Sequence, residues 1–276
     1  VNRTILAAAL ALCSAATIWP QAPNKEKGDD KSGYTDTPVI PGQKWQVHDA
    51  ARPKPVKVVP PPPVVTTPAP ADAIVLFDGK DLSQWISVQR GGVTGEPKWK
   101  VENGQLIIVP RTGRLATKEK FGDMQLHVEW MIPKDTPGAG QGKGNSGIEI
   151  MGRYEVQVLE SHENVTYADG QAASIYGQWP PRVNASRPIG EWNSYDIIFE
   201  APKFEGEQLV KPAYLTVLHN GVMVHNRQEV MGTAIHRRVA TYRAHGEEEP
   251  LTLQDHGNPV HYRNIWVRKL KPYDAQ

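Results

Sequence analysis

Short runs in which apolar and polar residues alternate dominate the chain from Ile74 onward. In MQLHVEWMI, Leu126, Val128, Trp130 and Ile132 alternate with Gln125, His127, Glu129 and Met131, the period of a strand with one buried face. YEVQVLE, LTLQDH and YRNIWVRKL repeat the pattern. VENGQLIIV and VLHNGVMVH each place Asn-Gly between β-prone residues, the strongest short hairpin signal. No long segment shows a capped period of about 3.6 residues, so no helix is expected. The pattern predicts an all-β domain, a two-sheet jelly-roll sandwich.

The same alternation says where the polar residues point. In YEVQVLE, Val156 and Val158 claim the core and send Glu155 and Gln157 to the outer face, while Glu160 falls at the strand end. In GIEIM, Ile148 and Ile150 are committed inward and leave Glu149 outside. A hairpin over Met151, Gly152 and Arg153 sets Glu149 directly opposite Glu155, with Cβ atoms about 5 Å apart; a two-residue turn would break the face assignment. Two carboxylates that close disfavour each other's charge, which supplies an acid and a base. An ordinary solvated face, with Glu149 paired to Arg153 or Lys143, accounts for the pattern equally well. Parity also turns out Thr252, Gln254 and His256, as well as His127, which alone reads as a surface histidine. Tyr176 and Trp179 lie in the Gly/Pro loop SIYGQWPP, suited to stacking on a sugar ring or to packing at a rim. Asn193 is a polar insertion beside Trp192. Arg263 is in phase with Ile265 and Val267, which would bury it unless a bulge intervenes.

The first part of the chain has another character. Residues 1–22 hold Arg3, an apolar run from Ile5 to Ala16 and small residues such as Ser14, Ala15 and Ala16, which reads as a signal peptide and an exported, periplasmic or cell-surface protein. The apolar run is shorter than the roughly 20 residues that span a bilayer, so no transmembrane helix is expected. Cys13 is the only cysteine, which leaves no intrachain disulfide; it could carry a lipid anchor, although Leu12 before it is unfavourable. Residues 23–52 are a polar segment and an extended arm, YTDTPVIPGQKWQVHD. Residues 53–72 are proline-dense and read as a stiff tether to a domain at 73–270, with 271–276 as a tail. With 31 basic and 30 acidic side chains and no basic cluster among aromatics, nucleic acid is not an expected partner.

LFDGKDLSQW, GNSGIEI, YEVQVLES, SIYGQWPP, GEWNSYDI, HNG and LQDHGNPVHYRNIWVRKL, in this order, resemble the 3-keto-disaccharide hydrolase domain family over roughly Ala73 to Leu270. The resemblance implies a concanavalin A-like lectin/glucanase sandwich acting on a carbohydrate substrate, a glycoside oxidised at C3. A ketone there acidifies the C2 proton, so a base can form an enolate and the C1 substituent can leave, before water adds. Residue chemistry offers Glu155 or His256 as base and Glu149 or Glu160 as acid. Gln157, Tyr176, Trp179, Asn193, Gln254 and Arg263 would bind or orient substrate. No cofactor is indicated; a divalent metal on Glu149, Glu155 and His256 would suit the enolate, but their spacing does not demand one. A conventional two-carboxylate glycosidase and a carbohydrate-binding module are the alternatives.

Overall fold

The computed structural model describes residues 33–63, 67–271 and 274. The expected signal peptide and Cys13 therefore lie outside the described residues. Alternation produces two antiparallel sheets. The smaller has six strands, in the spatial order Tyr154–Val158, Ser146–Ile150, Glu249–Leu253, Arg114–Phe121, Trp85–Val88 and Thr94–Gly95. The larger has eight: Val222–Glu229, Tyr214–His219, Asn193–Glu200, Met124–Met131, His261–Lys269, Gln105–Ile107 and Lys100–Glu102, with Ile74–Phe77 also paired to His261–Lys269. Among the described residues only two short 3-10 turns are helical, and no helix is long and apolar enough to cross a membrane.

The inward alternates of both sheets meet in one core that includes Leu126, Val128, Trp130, Ile148, Ile150, Val156, Val158, Leu251 and Leu253. The result is a two-sheet jelly-roll sandwich. Both Asn-Gly pairs make two-residue hairpins: Asn103 and Gly104 have φ 51° and 72°, and Asn220 and Gly221 have φ 52° and 78°. Positive φ at both central positions is what the tight turn requires and what Asn-Gly tolerates. Two buried tyrosines join the sheets. Tyr195 donates to the Gln157 carbonyl at 2.8 Å and Tyr262 to Ser146 Oγ at 2.7 Å, so the larger sheet holds the outermost pair of strands of the smaller one from beneath.

Two sequence expectations need correction. The proline-dense segment is not a tether standing off the domain: Val56–Lys57 pairs in parallel with Val183–Asn184, Arg187 donates to the Pro61 carbonyl and Asn264 to that of Thr67. Proline lacks a donor, but its carbonyls remain free to accept, and here the domain uses them. His127 is not a surface histidine. It is 1% exposed, bonded to Asp196 at 2.7 Å and stacked on Trp266, whose indole reaches the Thr67 carbonyl beside the same strap. The bulge that Arg263 needed is present, with a register shift between Arg263 and Trp266 and Asn264 at φ 46°.

Candidate active site

The Met151–Gly152–Arg153 loop closes the hairpin with Ile150 opposite Tyr154 and Glu149 opposite Glu155. Neither carboxylate is on an open face: Glu149 is 9% and Glu155 8% exposed. Loops roof them, and Glu149, Glu155, Gln157, Tyr176, Gln254 and His256 line one cavity of about 330 Å3. Its floor is the small sheet; Tyr167, Tyr176 and His236 form its roof.

The two carboxylates have different surroundings. Glu149 Oε2 is 2.7 Å from Arg114 Nη1 and accepts from Thr252 Oγ1 at 2.7 Å. Burial raises the Glu149 pKa, while Arg114, Thr252 and Gln254 pull it back. Glu155 makes no ion pair among the described residues, and Arg114 pulls its pKa down only from a distance. Burial, and secondly the charge of Glu149, push it up to about 8, so it is protonated at neutral pH. The Gln157 amide lies between Gln141 Oε1 at 2.9 Å and Glu155 Oε1 at 3.1 Å. A Cβ on Gly147 would sit 2.5 Å from Glu155 Oε1, so the carboxyl rests on the bare backbone of the neighbouring strand.

His256 is exposed at the mouth of the cavity, just past the strand that carries Thr252. Gln254 Oε1 has no partner among the described residues. Overhead, Tyr167 and Tyr176 share a 2.8 Å hydroxyl contact, and the Tyr176 hydroxyl is 3.1 Å from His236 Nδ1. Burial raises both phenols, keeping them neutral donors. The roof is held in turn by the arm. His48 accompanies Asp169, with its backbone N–H 2.9 Å from Oδ2 and Nδ1 3.3 Å from Oδ1, and its ring lies 4.1 Å from that of Tyr167. Tyr34 reaches His236 Nε2 at 3.4 Å.

The expectation of one site is corrected for four residues. Glu160 turns its carboxylate back to the His162 and Glu163 N–H groups, a loop cap that removes it from the cavity. Trp179 bonds the Glu229 carbonyl and packs beside Pro53 and Pro55, away from Tyr176 although the two are close in sequence. Asn193 and Arg263 belong to the larger sheet. Asn193 accepts from the Arg187 N–H and from Asn220, and Arg263 is 2.6 Å from Glu129 and stacks over Trp192, in a cleft of about 250 Å3 under Pro61–Pro63. Glu149 pairs with Arg114, not with Arg153 or Lys143, because the next strand but one in the sheet, beyond Glu249–Leu253, brings that arginine onto the same face. Sequence reading missed Gln141, Asn145, Tyr167 and His236, which also line the cavity. The glycine-rich run around Gln141 and Asn145 was the available signal; His236 gave none.

A two-sheet sandwich with a buried carboxyl, an exposed imidazole and several amides in one roofed cavity holds the groups that an enzyme acting on a glycoside needs. The sequence profile of the 3-keto-alpha-glucoside-1,2-lyase-like domain matches residues 72–268, and the chain belongs to that family. It is similar to a Bacteroides thetaiotaomicron 3-keto-disaccharide hydrolase, 24% identical over 244 residues, covering 74% of this chain and 80% of that protein. A candidate glycosyl hydrolase from Parabacteroides distasonis has a crystal structure that superposes with a TM-score of 0.70 at 42% identity, covering 83% of this chain and 99% of that one. A second from the same organism, at 19% identity and TM-score 0.53, covers 72% and 94% and shares the fold.

Proposed function

We propose that the protein is an exported enzyme that cleaves 3-keto-glycosides by enolate formation, elimination at C1 and addition of water. Family membership and the Bacteroides relative support the substrate class, and the apolar run from Ile5 to Ala16 supports export. The observation that carries the mechanism is the pairing, in one cavity, of a carboxyl that burial keeps protonated and an imidazole that is exposed and has no hydrogen-bond partner among the described residues. His256 takes the C2 proton. The electrons of the C2–H bond move into an enolate whose oxygen, at C3, is met by the neutral donors Tyr176 and Gln254. Enolate collapse forms the C1–C2 double bond and breaks the bond from C1 to the leaving oxygen, which collects the Glu155 proton. Addition of water, hydroxyl to C1 and proton to C2, gives 3-keto-glucose. Glu149 holds Arg114 and sets the electrostatic level of Glu155.

This ordering differs from ordinary glycosidase chemistry at one atom. In deuterated water the enolate route puts deuterium at C2 of the product, whereas displacement at C1 by water or a carboxylate leaves the C2 bond intact. Mass spectrometry of the product, corrected for exchange of free 3-keto-glucose, is expected to show one deuteron on carbon; His256→Ala is expected to lose exchange and cleavage together. Cleavage without label, or comparable turnover of the unoxidised disaccharide, would sink the proposal.

A further inference from the structure

A second cavity, of about 550 Å3, adjoins the first on the same sheet face and is lined by Arg90, Arg111, Arg114 and Asp255. Strand register sets the two side by side. Gln157 stands opposite Gly147, over which the Glu155 carboxyl lies. Leu253 pairs with Ile148 on one side and Leu115 on the other, which brings Gln254 between Gly147 and Arg114. Arg114 in turn faces Val88. One cross-strand row thus leads from the protonated carboxyl to the arginines, and Arg114, which lines the second cavity, is bonded to Glu149, which lines the first. The chain also alternates between them, since Gln254 and His256 line the first and Asp255 the second.

The charge of this second cavity is unbalanced and its walls are fixed. Asp255 is turned to the backbone, accepting from the Thr112 and Gly113 N–H groups at 2.9 and 3.1 Å and from the Gly257 N–H at 2.9 Å. That pins the turn carrying Arg111. Gln89 donates across to the Thr112 carbonyl, tying in the hairpin tip that carries Arg90. Among the described residues Arg90 and Arg111 have no carboxylate within ion-pair distance. Two unneutralised guanidiniums on braced turns form a planar, forked donor set suited to a carboxylate or a sulfate.

The geometry points to this cavity as the subsite for the leaving half of the substrate, and to an anionic sugar, a uronate or a sulfated hexose, as the group it takes. This rests on the keto-glycoside reading for which half is cleaved, but binding tests it separately. With a 3-keto-glucosyl-glucuronate and the 3-keto-glucosyl-glucose of the same linkage, the ratio of kcat/KM is expected to favour the uronate at least tenfold. It should shrink with added salt, because Arg90 and Arg111 are exposed. In Arg90→Ala/Arg111→Ala the ratio is expected to fall to near one, while Arg114 is left in place to hold Glu149. Calorimetry with methyl glucuronide, methyl glucoside 6-sulfate and methyl glucoside needs no turnover. Wild type is expected to bind the anions more tightly than the neutral sugar and the double variant to lose that margin, with the better anion naming the source. No margin, or one that survives in the variant, overturns the inference. If neither keto sugar is cleaved while the anion margin stands, the keto-glycoside reading fails and the anion subsite does not. If both are cleaved without discrimination, the anion subsite fails and the keto-glycoside reading stands.

Discussion

At the residue scale the site depends on one carboxyl whose proton is kept by its surroundings. Glu155 is raised from 4.5 to about 8 in the folded chain by burial and then by Glu149. An acid with a raised folded pKa adds stability that is fully present below the unfolded value, near 4.5, and lost as pH climbs through the folded value, near 8. Glu155→Gln, nearly isosteric and neutral, is therefore expected to flatten the decline of melting temperature between pH 5 and pH 8 that wild type shows, and to abolish cleavage. Gly147→Ala tests the same carboxyl from the other side, since the added methyl would meet Glu155 Oε1 at 2.5 Å. Gly147 does not have a positive φ, so the cost falls on the carboxyl's position rather than on the backbone. The expected result is a fall in kcat of at least tenfold, with the alkaline limb of the pH–rate profile moved from near pH 8. An unmoved alkaline limb in both variants would mean that Glu155 is not the acid.

At the element scale, what alternation could reveal is clear from the hairpin itself. Val156, Val158, Ile148 and Ile150 commit to the core, so the register of Glu149 with Glu155 followed from the apolar residues alone. Parity names a face, however, and not what covers it. It put His127 and Glu129 outside as it did Glu155, and it could not see that the proline segment lies on the larger sheet and that loops and the arm roof the smaller one. Arg114 was equally invisible, because its contact with Glu149 crosses strands far apart in sequence. The arm lies outside residues 72–268, yet its His48 ring supports Tyr167 and pairs with buried Asp169. Leaving that carboxylate without its ring N–H costs about 1–3 kcal/mol and frees the roof. His48→Ala is expected to lower both melting temperature and kcat/KM, and His48→Gln, which keeps a donor, to restore much of each. Unchanged kcat/KM in a His48→Ala protein that melts early would confine the arm to a structural part.

At the scale of the whole molecule, the strap formed by the proline segment and the cluster beneath the larger sheet act together. Burial pulls His127 down, but its Nδ1 contact with Asp196 and the nearby Glu129 carboxylate outweigh it and raise the imidazole to about 9, so it is a cation held between two carboxylates. Glu129 is held down against its own burial by His127, Asn264 and Arg263. Asn264 and Trp266 both reach the Thr67 carbonyl, and Pro61–Pro63 overlie Arg263 and Trp192, so the strap closes the wet side of this network. A chain begun at residue 72 loses, together with the arm and its His48–Asp169 contact, the Val56–Lys57 pairing and the carbonyls of Pro61 and Thr67. At about 1 kcal/mol for each buried hydrogen bond, and a few degrees per kcal/mol for a domain of this size, its melting temperature is expected to fall by roughly 5–10 °C against a chain begun at residue 33. His127 tells this apart from a general loosening. With a folded value raised above 6.5, its contribution to stability is complete below that pH and disappears as pH rises through about 9. Opened to water, the ion pairs weaken and the histidine is expected to titrate closer to its ordinary range, which an NMR titration of the ring resonances reads directly. A shortened chain that melts with the longer one, and whose His127 still titrates near 9, would return the proline segment to the role of a tether.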